Sequence, residues 1–172
     1  MIPLGLLEMD SYRSHVEALA TRADGELVLN RSPAHASIVL EAVFNASSEI
    51  VEILTSKLAP EVYGEPELIE AAARFLDRPK SSIAILSESE IDRATHPFLV
   101  ALDARGFADR ISIRCLPAAS LKRYSFNFAV GDRRHFRFEQ SRDSFEAFAR
   151  FGVADIGTKL NRIFADLDRS IG

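Results

Sequence analysis

Apolar positions along the chain change their period repeatedly, and each change marks an element. In residues 11–22, Tyr12, Val16 and Leu19 recur at helical spacing, and Asp24-Gly25 closes that helix in a turn. A short strand over 26–29 follows. Ser32-Pro33 opens a second helix, with a hydroxyl placed to cap it and proline in the first turn, and Ile38, Val39, Ala42 and Val43 form its stripe through about Asn45. Residues 49–55 alternate as a strand around Ile50 and Ile53. Residues 65–76 return to a helical stripe stopped by Arg78-Pro79, and 82–86 form a compact apolar strand. A further helix over 97–105 has Gly106 suited to its end, and 110–116 alternates Ile111, Ile113 and Cys115, with the cysteine expected as a small buried hydrophobe.

This alternation of strand and helix predicts an α/β sandwich around a largely parallel central sheet. The pattern then changes. Residues 125–130 and 135–138 read as an antiparallel pair, and the tail from about Asp143 reads as helical, with Ile156, Leu160, Ile163, Phe164 and Leu167 on one face. A single domain over 1–172 is expected, in which an N-terminal helix and short strand (1–31) precede the core (33–168).

Composition narrows the function classes. The 172 residues are 47% hydrophobic with twelve Phe, enough for a substantial core. With 21 basic and 25 acidic residues the net charge is -4, so the whole molecule is no general binder of polyanions and any basic surface must be local. One cysteine excludes an intramolecular disulfide framework, and a reducing, cytoplasmic setting fits. No window approaches a membrane span, and the start lacks the basic region of a signal peptide; the apolar run 2–7 is read as a packing arm.

The hairpin segment Y-S-F-N-F-A-V-G-D-R-R-H-F-R-F-E, residues 124–139, concentrates candidate chemistry. If the apolar sets Phe126, Phe128, Val130 and Phe136, Phe138 share the core face, paired residue numbers must sum to an even value, as in Phe128 with Phe136 or with Phe138, and the loop has an odd length. Ser125 and Asn127 then share the opposite face with His135, Arg137 and Glu139. From Leu121 to Arg142 six basic residues (Lys122, Arg123, Arg133, Arg134, Arg137 and Arg142) stand against Asp132 and Glu139. Such a segment suits phosphate, a nucleic-acid backbone or an acidic partner, and equally a solvated outer face of the sheet.

In S-F-N-F-A-V-G-D the order of elements and one spacing resemble the phospholipase D superfamily, whose signature is His-x-Lys followed four residues later by Asp. The matching positions are Ser125, Asn127 and Asp132; only the aspartate is kept, and R-F-E-Q-S-R-D-S stands where a Gly-Ser-x-Asn segment typically follows. The resemblance covers about residues 33–168. It implies an α/β/α sandwich with a mixed, mostly parallel sheet, a C-terminal antiparallel hairpin and closing helices. In that family one histidine attacks phosphorus, a second protonates the leaving group and lysines hold the phosphate charge. Ser125 has no evident base and Asn127 no positive charge, so the usual phosphodiesterase mechanism is expected to be lost. A chain carrying one motif copy resembles half of a two-lobed enzyme, which implies a homodimer.

The resulting expectation is a non-catalytic, dimeric binding or scaffold module, set beside an enzyme or within a bacterial multiprotein system, with Lys122, Arg123, Arg133, Arg134, His135 and Arg137 as candidates for phosphate or nucleic acid. The alternative is a phosphodiesterase or nuclease with a rebuilt site in which His135 is nucleophile or base and Arg137 holds phosphate. His15, His35 and His96 have no metal-ligand spacing, and no Gly-rich cofactor loop, Gly-x-Ser-x-Gly or Cys-x-x-Cys occurs, so neither metal nor cofactor is expected. His96 is suited to cap the helix that Pro97 opens. The stretch S-E-S-E-I-D-R-A-T-H-P, at the C-terminal side of a strand, is a secondary candidate beside its reading as solvated spacing.

Overall fold

The computed structural model describes residues 4–122, 124–142 and 144–171. Helix α1 runs over Leu4–Arg22, so it begins well before the expected residue 11, and Ile2 and Pro3 of the expected packing arm lie outside the described residues. The remaining elements are β1 (Val28–Asn30), α2 (Pro33–Ala46), β2 (Ile50–Thr55), α3 (Pro60–Tyr63), α4 (Pro66–Leu76), β3 (Ser82–Ser87), α5 (Pro97–Ala104), β4 (Ile111–Cys115), β5 (Asn127–Gly131), β6 (His135–Glu139), β7 (Ala147–Arg150) and α6 (Ala154–Ser170).

Local chemistry accounts for the helix starts. Ser32 accepts the His35 N–H at 3.1 Å and Pro33 fills the first turn of α2. At α5, His96 Nδ1 accepts from the Phe98 N–H at 3.3 Å and caps the helix, while its Nε2 meets the Leu58 carbonyl at 2.6 Å.

The strands form one sheet in the order β1-β7-β6-β5-β2-β3-β4. Only β2, β3 and β4 run parallel; the four other pairings are antiparallel, a larger antiparallel share than the strand-helix alternation predicts. Much of the excess comes from β7, which lies where the tail reads as helix. Ala147 and Ala149 point to one side and Phe148 and Arg150 to the other, and the strand bridges β6 to β1. The closing helix therefore starts at Ala154 rather than near 143.

Helices cover both faces. On one, α2, α4 and α5 bury Leu40, Phe44, Phe75 and Phe98 against Val51, Ile53, Ile83 and Ile85, while α1 and α2 close over Val28 and Ala149. On the other, Leu160, Phe164 and Leu167 of α6 pack on Leu54, Leu86, Phe128, Val130 and Phe136. In the hairpin Phe128 stands opposite Phe138 and Gly131 opposite His135, an even-sum register as expected, with the odd loop Asp132-Arg133-Arg134. Cys115 departs from expectation: it ends the edge strand β4, where no further strand covers it, and it is exposed.

Candidate functional site

A cavity of about 430 Å³ opens where β2 and β3 end and β5 begins. The chain leaves a parallel sheet at this edge, so side chains from several loops converge there. Ser56 and Lys57 follow β2, Glu88 and Ser89 follow β3, Asn127 opens β5, and Arg137 and Glu139 come from β6; α3 closes one wall with Val62 and Tyr63. Glu88 and Ser89 belong to the secondary candidate stretch, so part of that acidic loop faces the cavity. Its remainder is structural: Asp92 accepts the Ala94 N–H at 3.0 Å, and Arg93 makes a bidentate pair with Asp103 at 2.7 and 2.8 Å.

The hairpin face, read from sequence either as a ligand surface or as a solvated outer face, is buried. Asn127, His135, Arg137 and Glu139 are 9%, 6%, 6% and 7% exposed, because α1 and α2 extend over this side of the antiparallel strands. Burial requires that polar groups be paired. Asn127 Oδ1 accepts the Ser56 N–H at 3.0 Å and its Nδ2 donates to Glu139 Oε1 at 3.1 Å. Arg137 donates from Nη1 to Glu139 Oε2 at 2.9 Å, from Nε to Asn30 Oδ1 at 3.2 Å and from Nη2 to the Phe145 carbonyl at 3.3 Å. Burial pushes the Glu139 carboxyl up, against the pull of Arg137 and the hydrogen bond from Asn127. At the rim, Arg142 pairs with Glu88 and donates to the Tyr124 carbonyl.

The residues expected to share one site are distributed over the molecule. Ser125 precedes β5, is exposed and does not line the cavity; Asn127 does. Asp132 sits at the opposite end of the hairpin, where its carboxylate accepts from the N–H groups of Ser48, Glu49 and Ile50 at 2.8–3.0 Å. Burial works to raise its pKa, but these bonds together hold it below the ordinary carboxylate range. Arg133 and Arg134 are exposed in that same turn, so the basic segment divides between the two ends of the sheet. His135 lies next to the turn, outside the cavity lining, and its Nδ1 accepts the Gly152 N–H at 3.1 Å. Burial, with Arg134 nearby, lowers its pKa and favours that neutral acceptor form. The side chain of Lys122, and Arg123 altogether, lie outside the described residues.

Tyr63, Ser56 and Asn30 are cavity or network residues that no sequence pattern singles out. Asn30 has no local signal: it reaches Arg137 from 107 positions away. The lining sets Lys57, Arg137 and Arg142 against Glu61, Glu88 and Glu139, so it is charge-balanced, and both its arginines already hold carboxylates. This arrangement offers hydrogen bonds and a partly apolar wall. Among the described residues no hydroxyl of this lining is hydrogen-bonded to a carboxylate or imidazole, the pairing that activates a nucleophile for covalent phosphoryl chemistry.

No protein-family model matches the chain, and no curated protein matches it by sequence. Solved structures do. The phospholipase D family member Nuc from Salmonella typhimurium superposes with a TM-score of 0.59 at 9% identity, over 85% of this chain and 95% of that one. TrmBL2, an archaeal chromatin protein whose structure shows a novel mode of DNA binding, superposes with a TM-score of 0.55 at 10% identity, over 93% of this chain and 59% of that longer one. At these identities the likeness is one of architecture: a mixed seven-stranded sheet between helical layers, which gives this chain the phospholipase D-like α/β fold.

Proposed function

We propose that this chain is a phospholipase D-like domain that binds rather than cleaves, acting as a dimeric binding or scaffold module. The observation that carries this reading is the fate of the motif positions. Ser125, matched to the family's attacking histidine, is exposed and off the strand. Asn127, matched to the lysine, has its oxygen and its amide engaged by Ser56 and Glu139. Neither position supplies a nucleophile or a free cation at the cavity.

A rebuilt active site around His135 has less support, since its Nδ1 is engaged by Gly152 and it stands apart from the cavity. Recognition of phosphate or of a nucleic-acid backbone by the basic segment is also weakened, because Arg137 is neutralised by Glu139, and among the segment's described basic side chains only Arg133 and Arg134 are exposed. The decisive experiment incubates the purified chain with bis(p-nitrophenyl) phosphate and with single- and double-stranded oligonucleotides. No turnover above buffer is expected. Turnover that disappears in Ser125→Ala or His135→Ala would overturn the proposal.

A further inference from the structure

The helical cover of the sheet is incomplete at one corner. Helix α6 makes its main contacts with β2, β5 and β6; toward the sheet edge, Phe148 of β7 packs only in part against the α6-side core, and Leu29 of β1 is exposed. Alternation on β1 sends Val28 and Asn30 inward, so Leu27 and Leu29 face that side. They are 52% and 57% exposed, and with Val100 they are the exposed large hydrophobic side chains among the described residues. Leu29 stands across from Phe148, which stands across from Phe138, and the Phe138 ring lies 5.6 Å from Phe148 and 5.0 Å from Phe126. These rings are only partly buried, and a groove of about 190 Å³ runs among Leu29, Phe138 and Phe148. Contiguous exposed apolar surface of this kind marks an interaction site.

Two features select the occupant. Tyr12 donates its hydroxyl to the Leu29 carbonyl at 3.0 Å, so a backbone acceptor of the edge strand is engaged and the available surface is its side-chain face. The groove rim carries one cation, Arg31, and one anion, Glu146, both exposed and neither in a side-chain hydrogen bond or ion pair among the described residues. A partner of one charge would match half of this rim and be repelled by the other half. A second copy related by a twofold axis matches both, since Arg31 of each can meet the partner's Glu146.

We infer that the incompletely covered β1–β7 face is the homodimer interface, with Leu29 and Phe148 at its centre and reciprocal Arg31–Glu146 contacts at its rim. This rests on the dimeric part of the proposed function and locates it. The surface adjoins the cavity, because Asn30 and Phe145, which hold Arg137, are neighbours in sequence of Leu29, Arg31 and Glu146. Association would therefore brace the strand and loop that position the buried network.

Sedimentation equilibrium between micromolar and hundred-micromolar concentrations tests it, with circular dichroism confirming that each variant is folded. The wild-type chain is expected to dimerise. Leu29→Glu and Arg31→Glu should each raise the dissociation constant by about tenfold or more, and Arg31→Glu combined with Glu146→Arg should restore most of the loss. A wild-type monomer at the highest concentration, or an unchanged dimer in folded Leu29→Glu, overturns the inference. Neither result bears on the turnover assay, so the interface and the loss of catalysis fail separately.

Discussion

Asp132 joins two parts of the chain that are more than eighty residues apart. Its φ of +50° puts it in the left-handed region, which aspartate tolerates better than most side chains, and this turns its carboxylate back toward the start of β2. Three N–H groups that would otherwise lack partners at the strand entry are satisfied there, so the aspartate kept from the motif has a visible structural duty. Asp132→Ala should lower stability by about 2 kcal/mol in urea denaturation, and Asp132→Asn by less, because one oxygen still accepts. The pH dependence follows from the depressed pKa. The stability it lends is fully present above the ordinary unfolded value of about 3.9 and is lost as pH falls through the lower folded value. Asp132→Asn should flatten that acid limb.

At the scale of elements, the turn after β5 is held from two sides. Besides Asp132 on β2, the Arg134 carbonyl accepts the Val153 N–H at 2.8 Å, which sets the first turn of α6 against the hairpin. Gly157 is the consequence: a Cβ there would lie 2.0 Å from the Arg133 carbonyl oxygen and 2.3 Å from its carbon, both backbone atoms. Gly157→Ala should therefore destabilise by about 2 kcal/mol despite the better helix propensity of alanine, measured as a lower denaturation midpoint. The paired strands and amphipathic helices are legible in the sequence because their apolar periods are clean, and parity alone restricts the hairpin to registers of even sum, such as the observed Phe128 with Phe138. Strand β7 is hidden because Phe145, Phe148 and Phe151 also fall at helical spacing, so either period fits the segment. Burial of Asn127, Arg137 and Glu139 is hidden for another reason. Strand alternation tells which side chains share a face, but whether helices cover that face is decided by α1 and α2, more than eighty residues earlier.

For the whole molecule, the buried pair Arg137–Glu139 ties β6 to β1, β5 and the loop at Phe145. Two charges with little exposure are stabilising only as a pair, since removal of one leaves the other without compensation. Arg137→Met should cost about 3 kcal/mol, while Arg137→Met combined with Glu139→Leu should cost clearly less than the sum of the two single changes. Additive losses in urea denaturation would refute this coupling. The same pairing removes Arg137 from the cationic surface of a segment with four excess positive charges. Its described arginines divide between the turn, the buried network and the Glu88 contact.

The phenol of Tyr12 has a consequence for aggregation. Burial pushes its pKa up to about 12, so it remains a hydrogen-bond donor to the Leu29 carbonyl throughout the physiological range. A short edge strand with two bare leucines would otherwise be a template on which other chains could add strand after strand without limit. With that carbonyl engaged, growth along the edge is disfavoured, and a twofold side-chain contact of the proposed kind would close on itself after two copies. One hydroxyl would thus bias this corner of the sheet toward a finite assembly instead of a fibre.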